Sequence, residues 1–138
     1  MVVVVDVLAK LPSSFLDVPY EGTMIPGHKP ELGLKAGANC QRFAYEVLRY
    51  FGRDVPDLRS SDLWSDQEPT VDPDEPAPLD LVLFGSSEVP WGAHVGVYLG
   101  GSEVLHLCQE VGTPAVWSFT DFAARDRYRT RIGFKRVG

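Results

Sequence analysis

The stretch His94-Val95-Gly96-Val97-Tyr98-Leu99-Gly100-Gly101 decides the fold of this chain, together with the run from Glu103 to Cys108 that follows it. Both runs have the residue types of β-strands, and the glycine pair between them is typical of a hairpin turn. Because alternate residues of a strand share a face, His94 and His106 can point to the same side of two neighbouring strands. The pattern therefore predicts an antiparallel pair whose two imidazoles lie within hydrogen-bonding reach.

Other segments extend this pair into a domain. We expect further strands over Leu79 to Phe84, Ala115 to Phe119 and Arg129 to Val137, and a short helix over Asp121 to Arg125 capped by Thr120. Residues 2–11 are predicted to be helical, residues 12–37 to be mostly loop, and residues 54–80, with nine acidic residues and five prolines, to form a long surface connection. Together these elements predict an α+β fold around a central antiparallel sheet of about five strands.

Cys40 opens an amphipathic helix. Asn39 is a good N-cap, apolar residues recur at steps of three and four up to Phe51, and Gly52 ends the pattern. We expect this helix to pack against the sheet face that carries the histidines. A position in the first helical turn also predicts a lowered pKa for the thiol, because the positive end of the helix dipole favours thiolate.

The three residues match the needs of nucleophilic catalysis. A thiol becomes a good nucleophile beside a base that takes its proton, and that base needs a third group to orient it. Cys40, His94 and His106 can fill these roles. A zinc site built with Cys108 is the alternative, but Cys40 has no second ligand close in sequence, so we predict no metal and no cofactor. Cys108 is expected to be a small buried residue that could trap Cys40 as a disulfide under oxidation.

Composition limits the other functions. A chain of 138 residues with 44% hydrophobic residues predicts a single domain over residues 1–138. The net charge of -6 argues against a nucleic-acid partner, although basic residues gather near the C-terminus, where they could meet an anionic substrate or form a solvated strand face. We expect no membrane partner. The first residues lack the pattern of a secretory signal, which predicts a cytoplasmic protein by default and leaves signal-independent export open.

The motifs resemble those of the NlpC-type cysteine peptidases, a papain-like family that hydrolyses peptide bonds in bacterial cell-wall peptides. Asn39-Cys40-Gln41-Arg42-Phe43 resembles the nucleophile motif Asp-Cys-Ser-Gly-Phe, and Pro78 to Phe84 resembles the strand Pro-Gly-Asp-Leu-Val-Phe-Phe. His94 to Gly100 is similar to the strand that carries the base. Leu58-Arg59-Ser60 resembles a recurring Arg-Ser element, and the likeness spans nearly the whole chain.

The resemblance implies a role for each residue. Cys40 would be the nucleophile, His94 the general base and then acid, and His106 the orienting partner, in hydrolysis of a γ-D-glutamyl to diamino-acid bond of a murein-type peptide. Tyr20 resembles a tyrosine that lines the oxyanion region, and His28 competes for that place. Asn39 stands where the family has an acidic residue that helps to hold a free substrate amine, and Gln41 stands where it has a serine. Trp91, just before His94, is the best candidate among the tryptophans to line a substrate groove.

Two other functions stay open at this point. One is an amidase of the cysteine/histidine amidohydrolase-peptidase type, which orients its base with an acidic residue. Glu103 is the only carboxylate on the strand of His106, and it is predicted to point to the opposite face. The other is a non-enzymatic binding module on the same fold, which the unusual neighbours of Cys40 and the acidic segment suggest.

Overall fold

A computed structural model describes residues 6–137 of the chain. The helices are α1 (Val7–Lys10), α2 (Cys40–Tyr50), α3 (Ser60–Ser65) and α4 (Phe119–Ala123). The strands are β1 (Thr70–Val71), β2 (Leu81–Gly85), β3 (His94–Gly100), β4 (Glu103–His106), β5 (Ala115–Ser118) and β6 (Thr130–Val137). Short 3-10 turns cover Ser13–Asp17, Pro30–Leu32 and Asp126–Tyr128. Of the helix expected over residues 2–11, residues 7–10 form α1, Asp6 and Leu11 are its two caps, and residues 2–5 lie outside the described residues.

The strands form one six-stranded sheet in the order β1-β6-β2-β3-β4-β5, and every neighbouring pair is antiparallel. The predicted hairpin joins β3 to β4. Gly101 and Ser102 both have positive φ, 59° and 64°, as a type I′ turn requires. The α+β prediction is confirmed, and the sheet has one strand more than expected, because Thr70 and Val71 of the acidic segment pair with the end of β6.

The acidic segment is more ordered than its composition suggests. It contains α3 and β1, and two cations of β6 attach it to the sheet. The ammonium of Lys135, wholly buried, donates to Asp72 Oδ1 at 2.8 Å and to the carbonyl oxygen of Asp66 at 2.6 Å. Arg136 holds the buried carboxylate of Asp80 through two hydrogen bonds of 2.8 and 2.9 Å. The prediction of a long surface connection over residues 54–80 was therefore wrong for the part that forms α3 and β1, because cations of a distant strand neutralise Asp72 and Asp80.

The two faces of the sheet bury separate cores. Helix α2 packs on the face that carries Val95, Val97 and Leu105. The opposite face, which α4 and the turn Asp126–Tyr128 cover, carries a largely aromatic cluster of seven buried residues: Val82, Phe84, Val104, Cys108, Trp117, Phe122 and Tyr128. His94 and His106 contact this second cluster. The expectation that α2 covers the histidine face was wrong, since both faces of β3 and β4 are apolar and strand alternation does not say which face the helix takes.

Helix α4 begins two residues earlier than predicted. Ser118, rather than Thr120, is its N-cap, and its hydroxyl accepts a hydrogen bond from the backbone N–H of Asp121 at 3.2 Å. The carboxylate of Asp121 accepts one from the N–H of Ser118 at 2.9 Å, which completes a capping box. Among residues 6–137, no helix is long and apolar enough to cross a membrane.

Candidate active site

The candidate site is a cavity of about 530 Å³ at one end of the sheet. At this end β2 finishes at Gly85, β3 begins at His94 and the chain leaves β4 towards Cys108. Both Cys40 and His94 line the cavity. The N-terminus of α2 reaches the sheet end although the helix lies on the other face, because Cys40 is its first residue. The thiol therefore approaches His94 around the end of the sheet and not across its face.

Two side chains close in sequence to Cys40 stabilise the start of α2. Asn39 caps the helix, and its Oδ1 accepts a hydrogen bond from the N–H of Arg42 at 2.9 Å. The buried guanidinium of Arg42 donates to four carbonyl oxygens of the preceding loop, those of Ile25, His28, Lys29 and Gly33. These bonds tie the loop before the nucleophile to the helix that carries it, which positions the first turn of α2.

The surroundings of Cys40 raise its pKa. Burial is the main cause, because it disfavours the charged thiolate. The backbone N–H groups of Val95, Gln41 and Cys40 and the charge of Arg59 act in the opposite direction without cancelling it. The expectation of a thiol pKa lowered by the helix dipole was wrong, since desolvation outweighs the partial charge of the helix terminus here. Cys40 rests as the neutral thiol.

His94 and His106 form a hydrogen-bonded pair. Nε2 of His94 lies 2.8 Å from Nδ1 of His106, and the two rings are 88° apart in orientation. Burial lowers the pKa of His94 well below its ordinary value, with His106 and Arg127 adding to the effect. Burial, assisted by the charge of Arg125, lowers the pKa of His106 to about 3. Both rings are therefore neutral at pH 7, and Nδ1 is the nitrogen of His94 that remains available for the thiol.

The proton positions follow from the partners of each nitrogen. Nε2 of His106 is buried and has no hydrogen-bond partner among residues 6–137. The His106 ring packs at 4.3 Å from Trp117 and 4.7 Å from Phe122, measured between ring centroids. Aromatic rings accept weakly from an N–H and offer nothing to a bare lone pair, which favours a proton on this nitrogen. Nδ1 of His106 then accepts from Nε2–H of His94, and Nδ1 of His94 carries the lone pair.

Gly96 makes room for this pair. A Cβ atom at Gly96 would lie 2.5 Å from Cγ1 of Val104 and 3.3 Å from Cβ of His106. Any side chain here would push His106 away from the strand that carries His94.

The structure brings some of the remaining predicted site residues to the cavity. Tyr20 and Trp91 line it, and the ring of Trp91 is 79% exposed at the rim. Burial raises the pKa of Tyr20, to which the neighbouring thiol of Cys40 contributes, so the hydroxyl keeps its proton as a donor. Asn39 and Gln41 are buried and their side chains are outside the lining, while His28 is exposed on the loop. Of Asn39 and Gln41, Gln41 acts on the sulfur, through its backbone N–H and not through its side chain.

Sequence reasoning did not find Tyr128. Its ring lies 4.6 Å from the ring of His94, and burial raises its pKa to about 12. Asp126 and Arg127 precede it in the same 3-10 turn and also line the cavity. No periodic pattern marks these three residues, because a single turn has no repeat, and only their place just before β6 could have drawn attention to them. Cys108 lines the cavity as well.

Within the described range, no three His, Cys, Asp or Glu side chains are grouped so as to hold a metal ion. The two imidazoles bond to each other rather than converging on one point.

Solved structures share this fold. A search with family models and a search of curated proteins find no match. The NlpC/p60 domain of the peptidoglycan hydrolase SagA matches with a TM-score of 0.58 and 24% identity, over 96% of this chain and 96% of that one. The peptidoglycan hydrolase RipB from Mycobacterium tuberculosis matches with a TM-score of 0.60 and 21% identity, over 96% and 64%. The P60 domain of antigen MAP1204 from M. avium subspecies paratuberculosis matches with a TM-score of 0.59 and 20% identity, over 96% and 91%. The expected papain-like fold is confirmed: this chain has the fold of the NlpC/p60 domains.

Proposed function

We propose that the chain is a cysteine peptidase or amidase that hydrolyses an amide bond in murein-type peptides, of the γ-D-glutamyl to diamino-acid class. One observation carries the proposal: Cys40 and His94 line one cavity, and His106 holds the far nitrogen of His94 at 2.8 Å. The fold adds support, because SagA and RipB, which share it, are peptidoglycan hydrolases.

The reaction starts from a neutral pair. The thiol of Cys40 gives its proton to Nδ1 of His94 as the sulfur attacks the carbonyl carbon of the substrate. Because burial raises the pKa of the thiol and lowers that of the imidazole, the two ions are not favoured before attack, and proton transfer accompanies bond formation. His106 keeps the His94 ring oriented and accepts from its Nε2–H throughout.

The negative charge on the substrate oxygen needs donors. The backbone N–H groups of Cys40 and Gln41, at the start of the 11-residue helix α2, already act on the sulfur and are available next to it. The hydroxyl of Tyr20, protonated at neutral pH, is a third candidate at the cavity wall.

The second half of the reaction reverses the proton path. The imidazolium of His94 protonates the leaving amine as the C–N bond breaks, which leaves a thioester on Cys40. His94, neutral again, takes a proton from water as its oxygen attacks the thioester. The acid product forms, and the proton returns to the sulfur of Cys40.

The amidase of the cysteine/histidine amidohydrolase-peptidase type is the less supported alternative. That reading needs a carboxylate on the base, and His94 has His106 on Nε2 instead. Glu103 is exposed, and no carboxylate in residues 6–137 hydrogen-bonds either imidazole.

The two cysteines of the cavity provide a matched test. Hydrolysis of murein-derived peptides is measured by mass spectrometry for Cys40→Ala and Cys108→Ala. We expect Cys40→Ala to lose all turnover with the fold intact by circular dichroism, and Cys108→Ala to retain it. Turnover that persists in Cys40→Ala would exclude the proposal. A wild-type protein without hydrolytic activity, whose binding of a partner is unaffected by Cys40→Ala, would also exclude it.

A further inference from the structure

The basic residues near the C-terminus differ in the contacts that their side chains make. They are Arg125, Arg127, Arg129, Arg131, Lys135 and Arg136. Lys135 and Arg136 bind Asp72 and Asp80. Arg125 pairs with Glu110 at 2.8 Å.

Two more members of this set contact other parts of the protein. Arg129 donates to the carbonyl oxygen of Ser86 at 2.9 Å, and the guanidinium of Arg131 lies 4.3 Å from the ring centroid of Phe119. Arg127 and Arg131 are the two members that form neither an ion pair nor a side-chain hydrogen bond among residues 6–137, and of these two only Arg127 lines the cavity of Cys40 and His94. Its guanidinium is therefore free to bind an anion.

Arg127 lies in the cavity of Cys40 and His94. Its guanidinium is 5.6 Å from the ring centroid of Tyr128, whose ring is 4.6 Å from that of His94. Burial is the main cause of the shifted pKa values of His94, Tyr20 and Tyr128, and the charge of Arg127 lowers the pKa of each of them.

We infer that Arg127 binds a carboxylate of the substrate that lies beside the scissile amide. Arg127 and Asp126 are the charged side chains of the cavity lining, and they do not pair with each other in the described part of the chain. A guanidinium without an ion-pair partner, in the same cavity as a nucleophile that attacks a carbonyl, favours amides that carry an anion near the scissile bond. This inference rests on the proposed function and refines it, since it assigns a residue of this chain to the α-carboxylate that a γ-glutamyl group carries.

A pair of alkylating reagents tests the inference without any peptide. Iodoacetate and iodoacetamide differ only in carboxylate against carboxamide, and both react with the same thiolate, so a change in thiol pKa cancels from their rate ratio. The ratio is measured for Cys40 by peptide mass spectrometry, separately from Cys108. We expect it to fall about tenfold in Arg127→Gln, which corresponds to the loss of one charge-assisted hydrogen bond. The control is Arg131→Gln, an exposed arginine outside the cavity, which should leave the ratio unchanged.

A pair of peptide substrates gives a second readout. The peptides differ only by an α-carboxylate or an α-carboxamide on the residue that supplies the acyl group. We expect kcat/KM of Arg127→Gln to fall about tenfold on the carboxylate peptide and little on the carboxamide. An unchanged iodoacetate to iodoacetamide ratio in Arg127→Gln, or an equal fall on both peptides, would overturn the inference. Failure of the proposed function shows differently, as hydrolysis that does not need Cys40.

Discussion

The lowered pKa of His106 predicts a pH-dependent contribution to stability that the substitution His106→Gln removes. Burial lowers this pKa to about 3, against about 6.5 in the unfolded chain. Between pH 6.5 and pH 3 the imidazole of His106 is therefore protonated in the unfolded state but not in the folded state. The free energy of unfolding must then fall as the pH falls from 6.5 towards 3.

The size of the effect follows from the width of that interval. On going from pH 7 to pH 5, about 1.5 pH units lie below 6.5, and each of these units lowers the free energy of unfolding by about 1.36 kcal/mol. His106 alone should therefore lower the free energy of unfolding by about 2 kcal/mol over this interval. The side chain is 1% exposed, so solvent screening does not reduce the figure. His94, whose pKa is also lowered by burial, adds to the loss in the same direction.

Urea unfolding at pH 7 and pH 5, followed by tryptophan fluorescence, measures this loss. We expect wild type to lose about 2 kcal/mol more than His106→Gln over the interval, because glutamine at this position does not titrate. Carboxylates titrate in both proteins and cancel from the comparison. His28→Gln is the control, since it removes an exposed histidine of the loop and should behave as wild type. Equal losses in wild type and His106→Gln would refute the reasoning.

Three further predictions concern the site and its supports. The acid limb of kcat/KM should have its midpoint below pH 6.5, since burial lowers the pKa of His94 and the base stays unprotonated at pH 6; a midpoint at or above 6.5 in a pH-rate profile would contradict the assignment. Gly96→Ala should lower the free energy of unfolding by about 1–3 kcal/mol and reduce kcat, because its Cβ would lie 2.5 Å from Val104; a variant as stable and active as wild type in urea unfolding and peptide hydrolysis would count against the described packing. Asn39→Ala should lower the free energy of unfolding by about 1 kcal/mol through loss of the helix cap, whereas Asn39→Asp should keep the cap. Thermal unfolding of the two variants measures the difference, and similar losses of stability in both would mean that capping is not the role of Asn39.

Much of the fold was accessible from local patterns. The predicted hairpin turn is shifted by one residue, to Gly101 and Ser102, because Gly100 pairs with Glu103 as the end of β3. The register of this hairpin brings His94 and His106 together. The cap at Asn39 and the apolar periodicity after it predicted α2 within a residue or two of its ends. These features depend on neighbours in sequence, which is why a single sequence reveals them.

What the sequence did not reveal depends on distant partners. Nothing local says that Lys135 and Arg136 neutralise carboxylates of the acidic segment, so β1 was missed. The face chosen by α2 and the pKa of Cys40 likewise depend on what packs around them, since burial reverses the effect of the helix terminus. The free guanidinium of Arg127 is visible only once the partners of the other arginines are known.

The place of β6 in the sheet has a consequence for how the chain is made. β6 follows β1 and β2 in sequence, yet it lies between them and pairs with both. During translation β1 and β2 are therefore synthesised before β6. Until β6 has been made, Asp66 and Asp72 lack the ammonium of Lys135 that binds them in the fold. Because β6 carries the pairing with both β1 and β2, the six-stranded sheet is complete only once the chain up to residue 137 is free to pair.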